Sequence, residues 1–343
     1  MKRTKFILPI IAAATLFSCS DYLDINTDPN RPDANQVSPN LSLAVAQTQP
    51  YRTLTRNANI LGNLLMNNWG FNVNSFAVTN PEEFSLNFNN NTGATIWDGL
   101  YTGTYNLSKI VNHPSTQHDH HKAIAKMVKS FYFQYLVDLY GDIPYFEIHQ
   151  GSVNLSPTYD DDEAIYRDLV IQVEEAIAMI DNAPAGTAVV GEEDVMLGGD
   201  MQAWKRFGNT LKLRLLLRQS ELSSAQSYLT EEFAELAGAQ YVDEDVTINP
   251  GYSNNVDQQN PLFDLFYNVG TGTLASRETG FFRQYRASDW IAELINTSPV
   301  DNRRGRLFTL INGNVVGVIQ GDAAQVSGGT APTNLSALGA GML

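Results

Sequence analysis

Residues 130–147 read SFYFQYLVDLYGDIPYFE, and this stretch decides the fold. Phe131 and Tyr135 continue an apolar stripe that begins at Ile124 and Val128, the spacing of one face of a helix running over about 119–140. The stripe stops at Gly141, and Pro144 follows three residues later, which is how helices end. Tyr140 to Tyr145 therefore reads as a helix end: Gly141 supplies a left-handed turn, Asp142 accepts from nearby backbone N–H groups, and Pro144 fixes the exit.

The same periodicity continues on both sides. It predicts helices over about 41–66, 93–112, 161–181, 201–221, 224–237 and 287–296, with Pro50 breaking or kinking the first. Asp160, Asp161 and Asp162 stand where acids favour a helix N-terminus. The Trp204–Leu217 stripe reads as core. Short strands are expected near 85–88 and 315–319. Helices joined by loops, without strand-helix alternation, indicate a mainly α chain of successive helix pairs, with loop-rich insertions and a few short strands.

Of the 343 residues, 43% are apolar and 17% charged. Lys2, Arg3 and Lys5 precede the twelve apolar-rich residues Phe6 to Phe17. That run is shorter than the roughly 20 residues a membrane span needs, so residues 1–18 read as a signal peptide. Leu16-Phe17-Ser18-Cys19 resembles the lipobox of bacterial lipoproteins, which implies cleavage before Cys19 and its acylation. Cys19 is the sole cysteine, so no internal disulfide is possible. Residues 19–40, with Pro29, Pro32 and Pro39, read as a lipidated tether, and residues 41–343 as the folded domain. Losing the leader moves the net charge from −15 to about −18, which disfavours nucleic acid and anionic lipid as partners and favours neutral over acidic ligands.

Several segments, in order, resemble the SusD/RagB family of Bacteroidetes lipoproteins: CSDYLDINTDPN at the mature N-terminus, Trp97-x-x-x-Tyr101, the Tyr140–Tyr145 motif, the helix from Asp162 to Ile177, WKRFGNTLKLRLLLR from Trp204 to Arg218, and Asp301-Asn302-Arg303 where the family often has Asp-Pro-Arg. The resemblance implies tetratricopeptide-like helix pairs and a lipid-anchored protein on the outer face of the outer membrane. It also implies a SusC-like TonB-dependent transporter as partner, and capture of oligosaccharides, or peptides in some branches, without catalysis or cofactor. Family members continue past a Gly/Ala/Ser-rich segment such as 321–343 into further core helices, so the resemblance implies a domain incomplete at its C-terminus and marginally stable.

Ligand residues do not follow from the family motifs. The stretch 67–91 holds nine Asn and five aromatics, the side chains that stack on sugar faces and bond their hydroxyls. Trp69, Phe71, Asn72, Asn74 and Phe76 are the candidates there, and Tyr252 in the second loop-rich stretch, 249–285. The aromatics would equally serve as plugs of the core beneath the loop, and Phe263 and Phe266 read as core. His118, Asp119, His120 and His121 are consecutive and cannot easily converge on one metal, so they read as a solvated helix start. Gly270 to Ala275 mimics a dinucleotide fingerprint but follows no strand, and no G-x-S-x-G or Walker loop occurs. A helical glycan-degrading enzyme remains the alternative, since acids are plentiful.

Replacing Cys19 by Ala is expected to leave the precursor uncleaved and unlabelled by radioactive palmitate; equal labelling of the two forms would refute acylation at this residue.

Overall fold

A computed structural model describes residues 37–71, 82–253, 255, 257–266, 284–297, 301–321, 334–339 and 341. Cys19, Asn72, Asn74, Phe76 and Gly270 to Ala275 lie outside them. The described chain is mainly α, in helix pairs. Helix α1 (Pro39–Thr53) starts on Pro39, whose missing N–H costs nothing in the first turn. Pro50 lies inside α1 and does not break it; instead the helix widens into a π turn, Leu54–Ala58, and resumes as α2 (Asn59–Leu65). Four long helices follow: α3 (Ala94–Val111), α4 (Asp119–Tyr140), α5 (Asp162–Asp181) and α6 (Met201–Leu217), then the shorter α7 (Gln226–Glu235). Each of α3 to α6 packs on its sequence neighbour, and α1 packs on α3. That crossing is close because Gly99 and Gly103 face Thr53 and Pro50: a methyl on Gly103 would lie 2.7 Å from the Pro50 Cβ.

Helix α4 is the centre of this layer. It buries residues all around its girdle, from His121 and Ile124 to Phe133, Gln134 and Val137, because α3, α5, α1 and α6 all touch it. The predicted single stripe was too narrow: Phe131 and Tyr135 are only half-buried, and the deepest aromatics are Tyr132 and Phe133.

The turn after α4 works through carboxylates. Gly141 takes φ 72°, outside the range comfortable for other residues. Asp142 accepts from the Asp162 N–H (3.1 Å), Asp160 from the N–H groups of Tyr145 and Phe146 (2.8 and 2.9 Å), and Asp161 caps α5 at Ala164. The Tyr140 hydroxyl donates to the Gly93 carbonyl and Tyr101 to the Pro144 carbonyl, so the tyrosines pin this loop to α3.

A second core surrounds a two-stranded antiparallel ribbon, β1 (Trp69–Phe71) and β2 (Tyr285–Ala287), with Trp69 opposite Ala287. Leu64, Phe266 and Phe308 pack on it, with Ile295 from the helix Asp289–Thr297. The expected strands differ: 85–88 carries the end of a helical turn, Glu82–Ser85, and no strand, and near 315–319 only Val318 makes an isolated bridge, to Ser288. Among the described residues, no helix is long and apolar enough to cross a membrane.

His149 is wedged under α3, its Nε2–H donating to the Tyr101 carbonyl (3.2 Å) and its Nδ1 accepting from Ser108 Oγ (2.8 Å). Burial, then Lys129, pushes its pKa down to about 4. The unfolded chain binds this proton near the ordinary value of about 6.5, so stability falls as pH drops below that point. Between pH 6.5 and 5 the wild type is expected to lose roughly 1–2 kcal/mol through this group. His149→Gln should flatten that part of a urea-unfolding pH profile, and an unchanged slope would refute the assignment.

Candidate functional site

A cavity of about 670 Å³ opens between α1, α4, α6 and the loop 246–252. Its aromatic walls are Tyr51, Phe131, Tyr132, Phe207 and Tyr252, and aliphatic side chains including Val246 and Ile248 complete it. No charged side chain is among its described lining residues, although the chain carries 37 acids. This volume and apolar-aromatic composition are those of a small-molecule site.

The walls are held from behind by Asp194, which is 3% exposed and pairs with no cation among the described residues. Its carboxylate accepts from Gln47 Nε2 on α1 (2.8 Å), Trp204 Nε1 on α6 (2.7 Å) and the Met196 and Gly199 N–H groups. Gln47 Oε1 in turn accepts from the Val195 N–H. One carboxylate thus ties two helices to the segment that carries Met196 into the wall. Next, the Asn249 N–H donates to the Val195 carbonyl (3.0 Å), and Asn249 Oδ1 accepts from the Gly251 and Tyr252 N–H groups (both 3.0 Å), which sets the place of Tyr252. Asn260 Oδ1 accepts from the Leu262 N–H (3.0 Å) and so caps the short helix Pro261–Phe266.

The nearby Tyr51 phenol raises the pKa of both Tyr132 and Tyr252, and Tyr252 adds to the shift of Tyr132. Burial comes first in both shifts: it pushes Tyr132 well above the ordinary phenol value and Tyr252 up to about 12. Tyr252 also belongs to a second cavity of about 390 Å³, with Gln49, Arg52 and Asp257 on its other side.

Of the predicted residues that are described, Trp69, Phe71 and Tyr252, only Tyr252 reaches this cavity. Trp69 and Phe71 are 2% and 8% exposed and stack with Tyr285 in the second core, so their placement is that of packing residues and the expectation of open sugar platforms is corrected. Phe266 is core as expected, and Phe263 packs against it. Sequence reasoning missed Tyr51, Tyr132, Asn249 and Asn260 and placed Phe131 and Phe207 in helix stripes. The available signal was apolar residues on more than one face of α4, which implies more than one neighbour, together with aromatics in excess of one stripe. The histidine run is not a solvated helix start throughout: His121 is fully buried and meets Glu193 at 3.0 Å. Glu174, Glu232 and Glu235 lie close together, but Lys212 reaches all three and occupies the place a cation would take.

A family model described as starch-binding associating with outer membrane, SusD-like, matches residues 29–340. The chain belongs to the SusD-like family. A search of curated proteins found no match. Among solved structures, a SusD/RagB family protein from Bacteroides thetaiotaomicron superposes with a TM-score of 0.64 at 17% identity, over 83% of this chain and 60% of that one. A chitin-binding SusD homologue from Flavobacterium johnsoniae gives 0.62 at 21%, over 87% and 61%. A further structure, described as a chitin-binding protein, gives 0.63 at 18%, over 88% and 63%. These likenesses establish the SusD-like fold, and the chain spans about three-fifths of the length of these structures.

Asp194→Ala would leave the Trp204 indole and the Gln47 amide without their acceptor, and is expected to cost about 3 kcal/mol or more in urea unfolding. A loss below about 1 kcal/mol would show that the node does not hold the cavity wall.

Proposed function

We propose that this SusD-like chain is a surface glycan-binding lipoprotein, anchored to the outer membrane through Cys19, which takes a neutral oligosaccharide into the Tyr51–Tyr252 cavity and delivers it to a SusC-like TonB-dependent transporter. The observation that carries the reading is the combination of aromatic walls and an uncharged lining. Pyranose rings present apolar C–H faces to aromatic rings and hydroxyls to phenols and amides, and they carry no charge for a basic group to meet. The family supports the outer-membrane setting, and the structures described as chitin-binding support a glycan as the ligand class. Glycoside hydrolysis needs two carboxylates flanking the bond. The cavity's described lining supplies none, which supports binding over hydrolysis at this place. Tyr252, reached independently from composition and from the cavity, is the residue on which both arguments meet.

Calorimetric titration with a panel of neutral and acidic oligosaccharides is expected to give dissociation constants of roughly micromolar to millimolar for at least one neutral member. Tyr51→Ala or Tyr252→Ala should weaken it tenfold or more without lowering the melting temperature by more than a few degrees. A panel with no neutral ligand would sink the proposal, and turnover of the oligosaccharide by the protein alone would replace it with the enzyme reading.

A further inference from the structure

The loop that leads into α5 holds an aromatic ring from which the core gains little. Tyr159 is 67% exposed, more than any other aromatic side chain among the described residues. A ring that buries so little of its surface adds little to stability. Its backbone is nevertheless fixed on both sides. The Thr158 N–H donates to Glu147 Oε2 (3.3 Å), and Asp160 exchanges two backbone bonds with Ile143 (2.9 and 3.3 Å). The Asp160 carboxylate also holds the N–H of Phe146, a second ring that is half-exposed.

The ring itself is buttressed. Tyr159 stacks on Trp97 of α3, with centroids 6.3 Å and planes 26° apart. Trp97 is hemmed in by Tyr101 at 4.7 Å and Tyr140 at 5.1 Å, and the phenols of both donate to backbone carbonyls. A cage for an organic cation needs several rings around one hollow, whereas here the rings close on Trp97 and leave the outer side of Tyr159 open. That is a platform. Asp98, next to Trp97 and within electrostatic reach of the Tyr140 phenol, is exposed, and its carboxylate has no hydrogen bond or ion pair among the described residues. A flat ring near a free acceptor suits a pyranose, which brings an apolar C–H face and hydroxyl donors together. Asp142, Asp161 and Asp162 cluster close by and disfavour an anionic partner such as an acidic lipid surface.

We infer that Tyr159, backed by Trp97, is a second contact for a neutral polysaccharide, outside the Tyr51–Tyr252 cavity. The inference rests on the glycan-binding reading above and adds to it a place where a longer chain is gripped. Both places are carried by one helix: Tyr140, against Trp97, lies about 12 Å further along α4 than the cavity residue Tyr132. A single open ring binds a free sugar weakly. A polymer already held in the cavity presents its other units to that ring at high effective concentration, so the second contact acts through avidity. Long chains are then retained better than their own short fragments.

The experiment uses native gels containing amylopectin, laminarin or mixed-linkage β-glucan, and calorimetry with the trimer of each polymer. The wild-type chain is expected to be retarded by at least one polymer. Tyr159→Ala should weaken that retention tenfold or more, leave the matching trimer's affinity within about twofold, and melt within a few degrees of the wild type. Tyr159→Phe keeps the ring and should be retained like the wild type. Asp98→Asn, at an exposed carboxylate, should weaken retention several-fold, and it decides the matter if Tyr159→Ala fails to fold. Retention untouched in the folded variants, lost equally in Tyr159→Phe, or absent from the wild type with all three polymers would overturn the inference. The glycan reading stands in each of those cases if a trimer still binds and Tyr252→Ala weakens it. Binding of no neutral sugar, short or long, would overturn both.

Discussion

Much of this structure depends on one carboxylate in an unusual place. Asp194 is almost fully buried, and among the described residues no cation answers its charge. Burying a lone charge is expensive, and the cost is tolerable only when hydrogen bonds replace the lost water. Here the replacement comes from Gln47, Trp204 and the local backbone. Bonds to an ionised acceptor are shorter and stronger than neutral ones, and they are directional. The two helices and the loop therefore have to meet in one arrangement, and that arrangement is what leaves space between α1, α4 and α6. A hydrophobic contact at the same position would hold the elements together without fixing their spacing.

The same chemistry recurs wherever the chain turns. Asp142, Asp160, Asp161 and Asp200 all direct carboxylate oxygens at backbone N–H groups near helix starts or in the loop between α4 and α5. Glu174, Glu232 and Glu235 surround Lys212, whose pKa they raise against the opposing effect of its burial. These acids serve local geometry, which is how a strongly acidic chain keeps an uncharged cavity. Net charge describes the surface, whereas the chemistry of a site is set by which few side chains the fold turns inward.

The helical frame was legible because each long helix carries its own repeat and its own stops. Gly141 ends α4, acids open α5, and the predicted spans of α3, α4 and α5 differ from the observed ones by a residue or so at either end. Three-residue strands were not legible, since a period of two cannot be read in Trp69–Phe71 or Tyr285–Ala287, and their pairing spans more than two hundred residues. Trp69 misled for a related reason. Its neighbours are Asn and Gly, the composition of an exposed loop, but its partners Tyr285 and Phe266 come from distant sequence. Pro50 was read as a helix breaker, yet it lies inside α1 and packs against Gly103 of α3, a contact no local pattern records. The cavity was the least legible part. Tyr51, Tyr132, Asn249 and Asn260 come from separate segments, and each looks ordinary in its own window.

A receptor that passes its cargo onward faces a physical conflict between holding and releasing. Deep burial on all sides would slow escape, and affinity differences among related complexes arise mostly in the dissociation rate. The Tyr51–Tyr252 cavity meets this conflict through pre-organisation. Its amides are oriented by bonds already made inside the protein, so a ligand does not bear the entropy of ordering them. Ring stacking tolerates sliding, whereas an amide held in place by the backbone does not. The proposed role divides accordingly: Asn249 and Asn260, held by bonds from Gly251, Tyr252 and Leu262, fix orientation, and the aromatic walls supply stacking. Such a division suits the handover proposed for this chain better than a uniformly tight pocket would, because a ligand can be chosen strictly and still be let go.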